Sequence, residues 1–263
     1  MRLKSTWICL TWICAAIFVS TEAANADLVG LWEFEDSGNL LAASVGSDLA
    51  LTGTAAAAAG SGGADAGAAQ LSTGDYFTAT NPIGANGGGS NTNAYTLVMD
   101  MNAPGSSWNA LVDIDSGAFS GDGEVFTNPS GGLGIDGDYY GTGANGSWHR
   151  IALVFDMASD TSMTTYIDGA LNHAHTDSEL GGSPNADIDG RWSLLGTFNP
   201  FSDNGGGEEE TLAVSNLALF SSALSAEEVS ALGGPGSLIP EPNSIGLLML
   251  GSLAFLGLRK RSK

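Results

Sequence analysis

Three histidines and several short acidic and aromatic clusters are the residues of this 263-residue chain whose types and spacing could do chemistry. His173 and His175 stand in His-Ala-His, and on a strand of period two they share a face, the smallest arrangement that offers two imidazoles to a metal. The polar residues around them also suit a solvated loop. His149, next to Trp148, reads as structural, because no nucleophile elbow accompanies any of the three histidines. In "DIDSGAFSGDGE", Asp113, Asp115 and Glu124 take the first, third and twelfth places of a calcium loop, but Ala118 occupies the sixth, where the sharp turn needs glycine. That stretch is therefore expected to be strand, turn and strand. Calcium is the ion that Asp113, Asp115, Asp136 and Asp138 would fit, at the edge of a β-fold. Glu208 to Glu210 read as a solvated acidic loop. Tyr139 and Tyr140 in "DGDYYGTG" and Trp108 in "PGSSWNA" lie in loop-like surroundings. There a flat apolar ring face with a polar edge could stack on a sugar, or cap a core. Trp32, Trp148 and Trp192 read as core.

The elements available to hold these groups are strands. Short runs rich in β-branched and aromatic residues, among them "LVGLWEFE", "YTLVMDM", "WHRIALVFD" and "TLAVSNLALF", alternate with clusters of Gly, Asn, Asp and Ser. Nine or more such runs predict an all-β sandwich or barrel. Asp168-Gly169 between two of them predicts a tight hairpin. Trp148, Ile151, Leu153 and Phe155 cannot share one face at period two, which calls for a bulge or a strand buried on both sides. One helix of about two turns is predicted where Ser225 and Glu228 form a Ser-x-x-Glu capping box ahead of Val229 and Leu232. The alanine- and glycine-rich stretch "TGTAAAAAGSGGADAGAAQ" reads as a surface loop, and "GGPGSLIPEP", from Gly233, as a linker.

Residues 1–26 read as a secretory signal peptide: Arg2 and Lys4 precede the apolar Thr6 to Val19, and Ala24-Asn25-Ala26 offers a small-x-small cleavage site. Both cysteines, Cys9 and Cys14, lie there, so a mature chain would carry no thiol. Residues 27–239 hold 27 acidic and 2 basic residues, a net charge of −25. Such a field repels nucleic acid and anionic membrane surfaces and leaves cations, neutral glycans or a saline medium as surroundings. At the other end, the 15 uncharged residues from Ser244 to Leu258 would form a helix of roughly 22 Å, marginal for a hydrocarbon core of about 30 Å. Arg259, Lys260, Arg261 and Lys263 follow at once and would stay in the cytoplasm. Pro240-Glu241-Pro242, a short apolar helix and a basic tip, in that order, resemble the PEP-CTERM sorting signal. The resemblance implies an exosortase-type protease as partner and membrane insertion, transient or retained, through residues 244–258. It also implies passage from an inner-membrane intermediate to the cell surface or extracellular matrix.

The order of the runs also resembles a bacterial laminin G-like, concanavalin A-like domain. The marks are Trp32 and Phe34 in the opening strand, then Trp148, His149 and Ala152, then Tyr166, Asp168 and Gly169, and finally Ala223, Leu224, Ser225 and Glu228. The resemblance implies an antiparallel two-sheet jelly-roll sandwich over residues 27–233, with one short C-terminal helix and a separate apolar tail helix. A linker at 234–239 and the sorting segment at 240–263 would follow. Where family members often carry an acid in the penultimate strand, this chain has Ser215. The Glu-x-Asp-x-x-Glu strand of β-glucanases with this fold is not matched by "EFED" at 33–36 or by "DID" at 113–115. The expected function is a non-enzymatic, exported, lectin-like sandwich that binds glycan such as extracellular polysaccharide, or another matrix or envelope component, with calcium as the candidate cofactor. The alternatives are a structural matrix protein contacting other envelope proteins and, last, a divergent carbohydrate-active enzyme.

Overall fold

The computed structural model describes residues 26–63, 65–114, 123–135, 137–203, 207–208 and 210–238. Residues 1–25, the sorting residues Pro240, Glu241, Pro242, Arg259, Lys260 and Arg261, the apolar run 244–258, Asp115 and Asp136 lie outside them.

The alternating runs become strands β1 (Leu28–Trp32), β2 (Ala50–Thr52), β3 (Ala55–Gly62), β4 (Asp65–Leu71) and β5 (Tyr76–Thr80). Next come β6 (Ala94–Asn102), β7 (Asn109–Asp113), β8 (Glu124–Thr127), β9 (Leu133–Ile135) and β10 (Asp138–Tyr140). The last five are β11 (Trp148–Asp156), β12 (Met163–Ile167), β13 (Ala170–His175), β14 (Thr197–Pro200) and β15 (Leu212–Phe220), followed by helix α1 (Ala226–Leu232). They form two antiparallel sheets. One runs β13-β12-β11-β6-β15-β4-β3, with β1 also on β15, and the other β10-β9-β8-β7-β14-β5-β2.

Period two divides the long central strands between two apolar layers. Tyr95, Leu97, Met99 and Met101 of β6 and Ile151, Leu153 and Phe155 of β11 enter the core between the sheets, around the fully buried Trp32 and Trp192. Val98, Ala152, Val154 and Ala218 face the other way, into a second cluster covered by Leu224, Val229 and Leu238. β11 is thus buried on both faces in regular register with its neighbours, which accounts for its nearly unbroken apolar run. Trp148, expected in the core, begins that strand and is half-buried.

The outer face of the first sheet also carries a polar row. Arg150 stands opposite Asp100, and Asp100 opposite Asn216. The Arg150 guanidinium grips Asp100 through Nε and Nη2, at 2.7 and 2.6 Å, and also donates to the carbonyls of Leu232 and Gly236. Asn216 Nδ2 bridges Asp100 and Asp65, each at 3.0 Å. A bulge between Val214 and Asn216 makes this possible, because it turns Val214 and Leu217 inward while Asn216 faces out. Ser215, at the bulge, donates to Asp65 of β4 at 2.7 Å. The segment after the helix, expected as a linker, packs on this face through residue 238, where Leu238 is buried.

The alanine-rich stretch is not a loop. It forms the β3–β4 hairpin, with β4 paired to β15. Its sequence hid this because alanine and glycine show no alternation. Their smallness admits the chain around Phe34 and Glu35: a Cβ at Gly67 would stand 2.5 Å from the Phe34 carbonyl oxygen, while Glu35 Oε1 accepts from Ala66 and Gly67 N–H at 2.9 and 3.1 Å. The other local signals hold. Asp168 and Gly169 turn with positive φ of 51° and 78°, and α1 has both halves of its capping box.

Arg150→Leu leaves Asp100 buried without its cation. The expected loss is about 3–5 kcal/mol, read as a lower urea midpoint, and an unchanged midpoint would refute the structural role given to the pair.

Candidate functional site

On one flank of the sandwich the two sheets end in β10 and β13, and here Trp108, Tyr139, Tyr140, His173 and His175 come together. The edges touch through Asn172 Nδ2, which donates to the Tyr140 carbonyl at 3.2 Å. Tyr139 and Tyr140 are consecutive on β10, so their side chains leave in opposite directions. Tyr139 packs edge-on against Trp108, at the end of the β6–β7 connection, with ring centroids 4.8 Å apart and planes at 67°. Both rings are half-buried. A shallow depression of about 370 Å³ opens on the same connection, lined by Ala103, Pro104, Gln70 and Gly146 among others.

Tyr140 goes the other way. Its ring stacks on His173, with centroids 3.5 Å apart and planes 10° off parallel, and meets His175 edge-on at 5.4 Å. Its hydroxyl donates to Glu179. His173 and His175, two apart on β13, share a face as period two requires, with centroids 4.7 Å apart. Glu179 arrives from the turn after β13: Oε1 lies 3.3 Å from His173 Nε2, and Oε2 accepts from Thr176 N–H and Oγ at 2.7 and 2.8 Å. The hydroxyl of Tyr140, then the Thr176 amide, hold the Glu179 carboxyl down at about 2. The same bond pushes the Tyr140 phenol up to about 12. Burial, reinforced by His173, lowers His175 to about 4. Two neutral-capable imidazoles and a carboxylate within reach of one another can hold a metal.

The sequence pointed to His-Ala-His but not to Glu179. The spacing His-x-His-x-x-x-Glu, a strand pair followed by a turn glutamate, is the signal that would have found it. Of the carboxylates read as a calcium set, Asp115 and Asp136 lie outside the described residues. Asp113 is buried in β7 opposite Glu124 of β8, the expected strands flanking the turn, and Asp138 is half-exposed on β10. His149 is held by Asp168 at 2.9 Å and Ser147 at 2.7 Å, which ties two of the sequence marks into one hairpin.

Residues 238–261 match the model of the PEP-CTERM protein-sorting motif. No curated protein matches the chain. Among solved structures it is similar to a Trypanosoma rangeli sialidase in complex with sialic acid, at 14% identity and a TM-score of 0.53, covering 78% of this chain and 32% of that one. It is equally similar to the binding domain of botulinum neurotoxin serotype G, at 14% identity and 0.53, covering 78% and 50%. Domain 4 of AbnA, a GH43 extracellular arabinanase from Geobacillus stearothermophilus seen with arabinotriose, matches at 17% identity and 0.50, covering 79% and 98%. The chain spans about a third of the length of the sialidase chains it matches. These likenesses place the fold among β-sandwich domains. Among the described residues no helix is long and apolar enough to cross a membrane.

Because the Tyr140 hydroxyl is the largest cause of the low Glu179 value, Tyr140→Phe should move the Glu179 titration up from about 2 toward the ordinary 4.5. In the wild type that carboxylate's stabilisation is complete above 4.5 and is lost as pH falls through 2. Carboxyl-carbon NMR titration of the two proteins checks this, and identical curves would remove the hydroxyl as the cause.

Proposed function

We propose that this chain is an exported envelope or matrix protein whose sandwich binds glycan through the Trp108–Tyr139 pair, and that an exosortase-type protease processes it at the C-terminal signal. The half-exposed, edge-to-face Trp108–Tyr139 pair carries the reading, since stacking on apolar sugar faces needs rings held in place but not covered. A neutral polysaccharide is also the polymer that a body of net charge −25 does not repel. Among the described residues, the exposed large hydrophobics are Leu171 and Ile188, which gives little support to a protein-packing apolar patch. The non-enzymatic reading is supported by where the carboxylates lie. Asp100 and Asp65 are buried and bridged by the Asn216 amide, with Gly236 on Asp100, rather than facing each other across an open cleft. That one similar domain was seen with arabinotriose makes arabino-oligosaccharides a sensible first probe.

On a glycan array that includes arabino-oligosaccharides, Trp108→Ala and Tyr139→Ala should each weaken the best signal roughly 30-fold, about 2 kcal/mol. Tyr140→Phe, on the other side of β10, should leave it unchanged. Equal binding by all three variants, or none by the folded wild type, would reject the platform.

Processing should respect the packed segment. Arg150, Asn216 and Asp100 all bond Gly236, and Leu238 is buried. Mass spectrometry of the extracellular form should therefore give a C-terminus beyond Leu238. An end upstream of Gly236 would contradict the docked segment.

A further inference from the structure

We propose that His173, His175 and Glu179 form a binding site for a divalent transition cation of the zinc class, lodged between edge strands β13 and β10 and roofed by the Tyr140 ring. One ligand atom from each lies within 4.8 Å of the others. Ligands about 2.0–2.2 Å from a tetrahedral zinc stand roughly 3.4 Å apart. The His173 Nε2 to Glu179 Oε1 separation of 3.3 Å is already one such edge, and the third ligand closes with a side-chain shift of roughly an ångström.

A second observation points to a ligand independently of that spacing. His175 is fully buried, and neither of its ring nitrogens has a hydrogen-bond partner. Buried polar groups are nearly always satisfied, and leaving one bare costs about 1–3 kcal/mol. An ion would take up one of the two lone sites. Burial also keeps the imidazole neutral, which is the form that ligates.

The donor set selects the metal. Two imidazoles and one carboxylate suit zinc and its neighbours, whereas calcium takes about six to eight oxygens. Thr176 holds Glu179 Oε2 and so turns Oε1 toward the imidazoles, as outer partners of metal ligands do. The fourth position falls to water or to the Tyr140 hydroxyl, which already bonds Glu179. Entry is from the His173 and Glu179 side, where the side chains are 28% and 19% exposed, and His175 lies at the bottom. The site is across β10 from the Trp108–Tyr139 pair, so it does not rest on the glycan reading.

The test uses the full chain, with its export and sorting segments intact, stripped by a chelator. Zinc is titrated in competition with a chromophoric chelator, cobalt(II) is added separately, and thermal unfolding is followed with and without zinc. The expected result is a single ion per chain, the visible bands of tetrahedral cobalt, and an unfolding temperature that rises with zinc. His173→Ala and Glu179→Gln alter partly exposed side chains and should each weaken zinc at least roughly tenfold, with circular dichroism confirming the fold. His149→Ala, at the separate Asp168 contact, should bind as the wild type does. No zinc binding by the wild type, or binding that survives both substitutions in folded protein, overturns the assignment.

Discussion

The buried guanidinium of Arg150 is the interaction on which the rest of the architecture leans. It sits on the outward face of β11, in a body with 27 acids and one other cation, and it joins β6 through Asp100 to the end of α1 and to Gly236. Taking a charge pair out of water is costly, and the hydrogen bonds that offset the cost also fix the groups that supply them. Here they specify where the C-terminal segment lies. With that segment in place, Leu224, Val229 and Leu238 cover the outer apolar row of the first sheet, and the central strands become buried on both faces.

The same row shows how one irregularity can serve several bonds. If β15 ran without its bulge, Val214 and Asn216 would share a face, and either an amide would enter the core or a valine would leave it. The extra residue at Ser215 resolves the conflict and brings Asn216 opposite Asp100 while Ser215 reaches Asp65. The alanine hairpin β3–β4 supplies that aspartate, so it is tied to the polar row as well as to the core, which Ala69 and Leu71 of β4 enter.

At the flank where β10 meets β13 the construction is different. The two sheets end side by side, and consecutive tyrosines on a single short strand serve two environments. Tyr139 stays with Trp108 at the half-exposed rim, and Tyr140 closes over the imidazoles. A three-residue edge strand has little packing of its own to hold it, so contacts across the gap, the Asn172 bond and the Tyr140–Glu179 bond, set its position. The residues of the two proposed sites therefore also close the sheet edges.

Some of this was legible in the residues themselves, wherever the determinant is local. Alternating apolar runs specify strands because side chains alternate across a pleat, Asp168-Gly169 specifies its turn through positive φ, and Ser225 with Glu228 specifies the start of α1 through its unpaired amides. The C-terminal sorting motif is likewise a matter of order along the chain. What required the tertiary structure depends on partners distant in sequence. Nothing near Ala55 to Leu71 announces a strand, since β15 supplies the pairing for β4. Nothing near Gly236 announces a docked segment, since Arg150, 86 positions earlier, holds it. His-Ala-His gave two imidazoles on one face, but the third ligand and the covering ring come from a turn and from another sheet. Period two set the direction of each side chain along its strand, while only the packing of two sheet edges decided what it would face.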